Sequence, residues 1–427
     1  MIKTAKIDSV GGPAEFVAVA AWTTVALLWL AGGSNYLTRI ALTTMRGSIV
    51  EDIPMTEAQF GLLTSGFLIT YAAASPFGGF LADRFSRRRV VLCSLFAWSA
   101  ITWLTAYART FEQFLVLRTV LGLSQAFYIP AAVALIVDYH RGPTRALATG
   151  IHLTGLVVGA VVAGGGGWLA EQYGWSYAYA SIGLPNLLFG VLLFLFLKDA
   201  PRERLAEAGP ASPPEKIRLG EAVRSLAKPG AFYYVIGCMG VQGAVSWVII
   251  AWMPTVMREQ FKMGQGTAGI SVLACLYVAQ TFGLLAGGYW SDRRSLVNPR
   301  ARIMIPAVAI MLTAPVFLLT GWFQHSGYTM LSLGTYGLAM GFLGANTMPI
   351  ICLVVDLRYR ATAMGVLNCC TAVTGSLAIY GVGALRDAQV GVSLIMTFAG
   401  FGVFLCGASL WMANLAAKRS KKKPAAA

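Results

Sequence analysis

The chain has 427 residues, of which 57% are hydrophobic and only 12% are charged. A soluble globular protein carries about twice that charged fraction, so the composition excludes an ordinary soluble domain. Apolar runs of about 20 residues or more recur along the whole length, which is typical of membrane-spanning helices. The alternating pattern of an outer-membrane barrel is absent. We therefore expect an integral membrane protein built from α-helices.

Apolar spans follow one another along the chain, and most Lys and Arg residues lie in the termini and the even-numbered loops. The twelve predicted spans are 18–46, 56–82, 89–107, 111–138, 146–170, 176–197, 231–258, 265–290, 303–323, 327–354, 361–385 and 390–416. The positive-inside rule then places both termini in the cytoplasm, and we expect a bacterial inner membrane. The net charge of +15 reflects this topology and attraction to anionic headgroups, so no nucleic-acid partner is expected.

The sequence contains no motif that is typical of a catalytic site. The seven cysteines all fall within predicted spans, and none has the C-x-x-C spacing of a metal or redox site. We interpret them as small apolar packing residues. Nothing resembles a nucleophile, a metal site or a phosphate-binding loop. We therefore expect neither an enzyme nor a cofactor.

A polar segment rich in Pro, Ala and charge divides the spans six and six. We predict an N-terminal bundle at 1–197, a cytoplasmic linker at 198–230, a C-terminal bundle at 231–417 and a basic cytoplasmic tail at 418–427. The halves resemble each other, because GGFLADRFSRRRV after span 2 recurs as GGYWSDRRS after span 8 at an offset of 209 residues. Two copies of a six-helix unit joined by a linker indicate an alternating-access transporter.

The segment GGFLADRFSRRR also resembles the cytoplasmic signature of the major facilitator superfamily, G-x-x-x-D-R-x-G-R-R, with Ser86 where the pattern usually has Gly. The resemblance implies an all-α integral membrane protein with 12 transmembrane helices in two six-helix bundles related by pseudo-symmetry, and a monomer. Charged residues that recur at the cytoplasmic ends of the spans predict a gate that holds one state and breaks in the other. These gate residues are Asp83, Arg84, Asp138, Arg145, Asp292, Arg293, Asp356 and Arg360.

Two arginines lie inside spans, Arg39 in span 1 and Arg118 in span 4, each seven residues from the periplasmic end. Both are about 10 Å below that surface, where an unpaired charge costs at least ~2.5 kcal/mol. Snorkelling to the periplasm is one explanation. Pairing with an intramembrane carboxylate is not available, because no Asp or Glu is central in any predicted span. We favour a wet cavity that admits an anion, since guanidinium groups match carboxylates and phosphates.

The segment NYLTR around Arg39 resembles the N-Y-x-D-R element of helix 1 in the anion:cation symporter branch of the superfamily. That branch includes sugar-acid and vesicular organic-anion carriers, and the same element occurs in the spinster-like branch. RTVLGLSQAFYIPA resembles helix 4 of these families, and MGVLNCC resembles their helix 11. By this resemblance Arg39 and Arg118 bind the substrate anion. Isolated polar residues also form interhelical hydrogen bonds, but we predict as further substrate-binding residues Tyr36, Tyr71, Gln125, Asn368, Gln242 and Asn346.

Two departures from that resemblance concern proton coupling. Thr38 stands where the pattern has aspartate, and Gln125 stands where helix 4 commonly has glutamate. A buried carboxyl group has a raised pKa and can titrate within a transport cycle, whereas Thr and Gln cannot. His152, early in span 5, is a candidate proton site because histidine titrates near neutrality, and a hydrogen-bonded core histidine is the alternative. Proton coupling, uniport and anion exchange therefore stay open.

We expect a secondary transporter that moves a small organic anion, such as a carboxylate or a sugar acid, across the membrane by alternating access. The predicted partners are this anion, the lipid bilayer and, if coupling uses them, protons. The alternative is a spinster-like exporter of an amphipathic lipid or drug. It predicts a cavity with an apolar flank and a lateral opening.

Overall fold

The computed structural model describes residues 13–140, 144–200, 221, 225–226, 230–323, 325–356 and 359–420. These residues are almost entirely α-helical, and none of them forms a strand. The helices of the first half are α1 (Pro13–Thr44), α2 (Arg46–Asp52), α3 (Glu57–Arg84), α4 (Arg87–Thr105), α5 (Phe111–Gln125), α6 (Tyr128–Tyr139), α7 (Arg145–Val162), α8 (Gly164–Tyr173) and α9 (Trp175–Phe196). Those of the second half are α10 (Gly230–Phe261), α11 (Gln265–Ser295), α12 (Ala301–Leu318), α13 (Ser326–Val354), α14 (Arg360–Asp387) and α15 (Val392–Ser420).

The helices make twelve spans within the described part of the chain. Spans 1 to 3 are α1, α3 and α4, span 4 is α5 with α6, span 5 is α7 with α8, span 6 is α9, and spans 7 to 12 are α10 to α15. Ten of the twelve are long and apolar enough by composition to cross a membrane. The prediction of an all-α, multi-pass membrane protein is confirmed. Most of the predicted linker, and residues 421–427 of the predicted tail, lie outside the described residues.

Spans 4 and 5 are interrupted, which the hydropathy pattern did not predict. Span 4 breaks between Gln125 and Tyr128. The ring of Pro130 clashes with the carbonyl of the residue four positions earlier, so a regular helix cannot continue through Ala126. Span 5 breaks at Ala163, directly before four consecutive glycines at 164–167, which weaken the helix because glycine keeps more backbone freedom in the unfolded chain.

The two bundles repeat the same internal pairings. Spans 1 and 5, 2 and 4, and 3 and 6 pack together in the first bundle, as do spans 7 and 11, 8 and 10, and 9 and 12 in the second. A Cβ atom on Gly122 of span 4 would lie 2.3 Å from the carbonyl oxygen of Phe67, and one on Gly337 of span 10 would lie 2.4 Å from that of Leu276. Without these glycines the paired spans cannot approach so closely, which is how small residues pack helices in membranes.

The bundles meet each other at one side of the molecule. We call this side the far side, and the opposite side the linker side. Helix α1 ends at the far side at Thr44, and α14 ends there at Asp387. The contacts between bundles join α3 to α14, and α7 and α8 to α11. Ser65 and Ser376 exchange hydrogen bonds with each other's carbonyl oxygens at 2.7 and 3.1 Å. The far side is therefore closed by direct packing between the halves.

Candidate functional site

Arg39 lies in span 1, five residues before the far-side end of α1 at Thr44, and is 5% exposed. Its Nε donates to Oε1 of Gln125 at 3.4 Å, and its Nη2 donates to Oδ1 of Asn35 at the same distance. The guanidinium carbon lies 4.8 Å from the ring centre of Tyr36 and 4.3 Å from that of Tyr71. Aromatic ring faces attract a cation, and both hydrogen bonds are longer than the usual 2.9–3.0 Å. The positive charge is thus held by rings and weak neutral contacts.

Gln125 and Thr38 join span 4 to span 1 beside this arginine. Nε2 of Gln125 donates to Oγ1 of Thr38 at 2.8 Å and to the carbonyl of Asn35 at 3.2 Å. The Thr38 hydroxyl donates in turn to the carbonyls of Ser34 and Asn35. Thr38 and Gln125, at the positions where the resembling carriers have carboxylates, are therefore linked by a hydrogen bond between neutral groups. Neither side chain can gain or lose a proton in the physiological pH range.

Arg118 lies deeper in the first bundle and is 1% exposed. Its guanidinium donates to the carbonyl oxygens of Thr38 at 3.4 Å and Arg39 at 3.2 Å. Both cations contact the ring of Phe67, whose centre is 4.9 Å from the guanidinium carbon of Arg118 and 5.2 Å from that of Arg39. Sequence analysis offered a wet cavity or snorkelling as explanations for this cation and excluded a carboxylate partner. The structure gives it main-chain carbonyl partners behind Arg39.

No ion pair among the described residues includes Arg39 or Arg118. Two buried cations therefore contact one phenyl ring, and neither has a carboxylate partner among the described residues. Burying an unpaired charge is costly, even in a membrane protein that can admit water. A site of this kind stabilises an anion that enters it, because the anion supplies the missing counter-charge.

The second bundle closes over this region from α11. Tyr36 packs against the hydrophobic core of the second bundle, which includes Tyr277. The Tyr277 hydroxyl lies within electrostatic range of both Tyr36 and Arg39. Sequence analysis did not identify Tyr277, because a tyrosine in an apolar span has no local feature that separates a site residue from a packing residue. The Arg39 cluster therefore lies where the two halves meet.

The other predicted substrate residues are distributed more widely. Nε2 of Gln242 donates to the Ser246 hydroxyl at 2.9 Å, within the second bundle. Asn346 is buried, and its amide donates to the carbonyl oxygens of Phe342 and Gly287 at 2.8 and 3.4 Å, which ties span 10 to span 8. Asn368 lies on α14 and is exposed. Of the six further candidates, Tyr36, Tyr71 and Gln125 contact Arg39 directly.

His152 lies between spans 5 and 1 and has no exposed surface. A Cβ atom on Gly32 would lie 3.1 Å from the imidazole, and the ring centre of Tyr128 is 6.0 Å away. The Tyr128 hydroxyl donates to the carbonyl of Leu28 at 2.6 Å. The structure therefore places the predicted proton site in the interior of the first bundle, against Gly32 of span 1 and Tyr128 of span 4.

The predicted gate residues lie at the linker side, where the described ion pairs stay within one bundle. Arg87 pairs with Asp138 in the first bundle, and Arg302 pairs with Asp292 at 2.8 Å in the second. Arg293 donates to the Tyr289 hydroxyl at 2.7 Å. The remaining gate residues with described side chains are exposed, namely Arg84, Arg145, Asp356 and Arg360. The side chain of Asp83 lies outside the described residues.

The far side carries an ion network that sequence analysis missed. Arg46 and Glu57 of the first bundle pair with each other, and Arg386 and Glu259 of the second pair at 2.7 Å. Arg46 also lies 3.4 Å from Glu259, and Arg386 lies 3.5 Å from Glu57. Asp387 accepts hydrogen bonds from the first two backbone amides of α3 at 2.8 and 2.9 Å. These contacts bind the two halves to each other.

One signal for this network was available. Arg46 is the last residue of predicted span 1 and Arg386 directly follows predicted span 11. Both lie on the side where the positive-inside rule disfavours basic residues, so each needed a local reason to be there. Burial lowers the pKa of Arg46, and the charges of Glu57 and Glu259 act in the opposite direction. The carboxylates thus offset the cost of burying this arginine between the bundles.

Comparisons with known proteins agree with this architecture. Residues 28–379 match the Major Facilitator Superfamily. The hexuronate transporter of Bacillus subtilis is 26% identical over 296 residues, which are 68% of this chain and 68% of that protein. An MFS-type efflux pump of Mycolicibacterium smegmatis is 24% identical over 370 residues, which are 86% of this chain and 85% of the pump.

A solved structure of similar shape is that of a bacterial homologue of the human lysosomal transporter spinster, in an inward-facing and unoccupied conformation. It aligns with 95% of this chain and 99% of its own, with a TM-score of 0.80 and 21% identity. This likeness shows the fold. The family match covers most of the chain, the twelve spans and repeated pairings agree with it, and its members are transporters and not enzymes. The chain belongs to the Major Facilitator Superfamily.

Proposed function

We propose that this transporter carries a small organic anion, a carboxylate or a sugar acid, and that Arg39 receives its negative charge. The observation that carries the proposal is that the Arg39 guanidinium has only neutral hydrogen-bond partners among the described residues. Its guanidinium lies at the meeting of the two bundles, with two hydrogen bonds of 3.4 Å to neutral groups and no carboxylate partner. An incoming carboxylate forms shorter, charge-assisted and bidentate bonds to the same group.

Arg118 has a supporting role in this proposal. Its bonds to the carbonyls of Thr38 and Arg39 brace the part of span 1 that carries the site. Its charge adds to the positive potential near Phe67, although its side chain is 1% exposed. We infer that the hydroxyls of Tyr36 and Tyr71 donate to oxygen atoms of the anion, because both rings contact Arg39. Asn368, Gln242 and Asn346 are second-bundle candidates for contacts in another state of the cycle.

The cycle that we propose alternates closure between the two sides. The far-side network and the Ser65–Ser376 bonds hold that side shut, while the described ion pairs at the linker side stay within each bundle. With the termini in the cytoplasm of a bacterium, this state opens inward. In the other state, Asp83, Asp292 and the arginines beside them close the cytoplasmic side.

Proton coupling does not pass through the Thr38–Gln125 pair in this proposal, because neither side chain titrates. Uniport and anion exchange need no titratable group. If transport is coupled to protons, we propose His152 as the side chain that binds the proton. The hexuronate transporter from Bacillus subtilis supports a sugar-acid substrate by its name. The efflux pump, by its name, supports export, which is the direction of transport in the alternative function.

A thermal-shift screen of the purified chain separates the two functions. The probes are glucuronate and other sugar acids, simple carboxylates, phosphate esters and lysolipids, each tested on wild type, Arg39→Ala and Arg109→Ala. Arg109 is an exposed loop arginine and serves as the matched control. A ligand at a hundred times its Kd stabilises the folded state by about 2.7 kcal/mol.

We expect an acid to stabilise wild type and Arg109→Ala but not Arg39→Ala, and proteoliposome flux of that acid then measures coupling. Arg39→Lys keeps the charge and removes the planar fork, so a partial loss is expected there. Lysolipids that shift wild type, Arg39→Ala and Arg109→Ala alike, with no response to any acid, contradict the anion proposal and support the exporter.

A further inference from the structure

Two crevices on the outer surface of the bundles are not used by the transport mechanism. The N-terminal crevice, of about 560 Å³, lies between spans 2, 3 and 4, and the C-terminal crevice, of about 610 Å³, lies between spans 8, 9 and 10. Their walls are apolar and exposed, as in Phe85 at 52%, Trp290 at 57% and Leu312 at 71%. Spans 3 and 9 pack against helices of their own bundle, so both crevices face the bilayer.

The crevices are the same site in the two repeats. Leu81 and Phe85 of the N-terminal crevice correspond to Trp290 and Arg294 of the C-terminal crevice at the repeat offset of 209 residues. The residues that span 4 contributes each have a counterpart 215 positions later in span 10. These four are Val120, Leu123, Ser124 and Phe127. Both bundles keep a crevice at this place although the side chains that line it differ. We take this as an indication that the two crevices have the same kind of occupant.

The length of each crevice fits one lipid leaflet. The N-terminal crevice runs along span 3 from Arg89 to Ile101, and the C-terminal crevice runs along span 9 from Ala301 to Thr313. Twelve residues of helix are about 18 Å long. Half of a bilayer's hydrocarbon core is about 15 Å thick. An acyl chain therefore fills either groove from the linker side to the membrane centre.

Each crevice has an arginine at its linker-side mouth, and the two arginines come from different helices. Arg89 lies at the start of span 3, and its counterpart in the second half is Ala301. Arg294 lies at the end of span 8, and its counterpart in the first half is Phe85. The positive-inside rule explains why basic residues lie on this side. It does not explain why each crevice has an arginine in its wall. We propose that both crevices bind an anionic phospholipid of the linker-side leaflet, with its acyl chains in the groove and its phosphate on Arg89 or Arg294.

The proposal is tested on the full chain by native mass spectrometry in detergent. The protein is mixed with equal amounts of phosphatidylglycerol and phosphatidylcholine of the same acyl chains. Wild type is expected to retain one phosphatidylglycerol in each crevice. Removing the arginine that contacts the phosphate removes a charge-assisted hydrogen bond and should lower retention of the anionic lipid at least about tenfold. Arg89→Ala and Arg294→Ala are each expected to lose most of the phosphatidylglycerol from one crevice, and the double variant from both.

Matched controls separate a bound lipid from general charge attraction. Arg84→Ala and Arg293→Ala remove neighbouring exposed arginines that do not line the crevices, and we expect wild-type retention. Ala97 and Ala309 occupy equivalent positions in the two grooves, so Ala97→Phe and Ala309→Phe should displace lipid with both arginines intact. Equal losses in the control and mouth variants, equal retention of the two lipids by wild type, or full retention in a folded Phe variant each overturn the proposal.

Discussion

Gln125→Glu tests why the charge of Arg39 is available to a substrate. Oε1 of Gln125 accepts from Nε of Arg39 at 3.4 Å. An ionised carboxylate at that distance attracts the guanidinium by about 5 kcal/mol at an effective dielectric constant of 20. After desolvation, a hydrogen bond to a charged group retains about 1.5–3 kcal/mol. A substrate anion must displace this internal counter-ion, so we expect its affinity to fall about 10- to 100-fold.

The substitution also introduces a pH dependence whose sign is fixed by charge. As pH falls, the introduced carboxyl group takes up a proton, becomes neutral and releases Arg39, so anion affinity should recover toward that of wild type. Wild type has no titratable side chain at this position, and its affinity should change much less. The assay is isothermal titration with glucuronate, or with the acid that the screen identifies, between pH 5 and pH 8.

Gln125→Leu is the control, because it removes the same hydrogen bonds without adding a charge. We expect it to reduce affinity less than Gln125→Glu at pH 8. The reasoning is refuted if folded Gln125→Glu binds the acid as tightly as wild type across the whole pH range. That result would mean that the anion does not use the charge of Arg39.

Further predictions concern the support of the site, the far-side network and the packing of the bundles. Arg118→Leu removes two bonds to span 1 and should lower the stability by about 1–3 kcal/mol, measured as a fall in Tm together with slower flux. Glu259→Gln with Arg386→Gln should open the far side several-fold more often, measured as faster thiol labelling of a cysteine introduced at Ser376; unchanged labelling contradicts a gating role. Gly337→Ala places a methyl group against the Leu276 carbonyl and should cost about 1–3 kcal/mol, whereas Gly344→Ala, with open space around it, should have little effect on Tm.

The sequence predicted the parts of the site that depend on local composition. Arg39 and Arg118 were recognisable because two permanent charges interrupt apolar spans. Tyr36 follows from helical spacing, since a residue three positions before Arg39 lies on the same face. Thr38 and Gln125 were noticed because they depart from a resembling pattern. These predictions did not include the hydrogen-bond partner of each group. Arg118 is an example, because its partners are main-chain carbonyls of span 1.

Pairings between distant segments were beyond sequence reasoning for a physical reason. Asp387 caps α3 across 330 positions of chain, and Arg46 reaches Glu259 across 213. Each side chain at these positions is compatible with an ordinary exposed loop, and only the docking of the two bundles brings the charges within bonding distance. The same holds for the two lipid-facing crevices, whose walls come from three spans each.

By itself, the sequence determined that the chain is a helical membrane protein with twelve spans, two related halves and unpaired cations in the first half. Those properties follow from the transfer of individual residues into lipid and from repetition along the chain, which are both local. The tertiary structure decided which of the cations lies at the meeting of the halves, which one braces it, and which side of the molecule is closed. These depend on distances between helices, and such distances are set by the packing of whole bundles, not by any single segment.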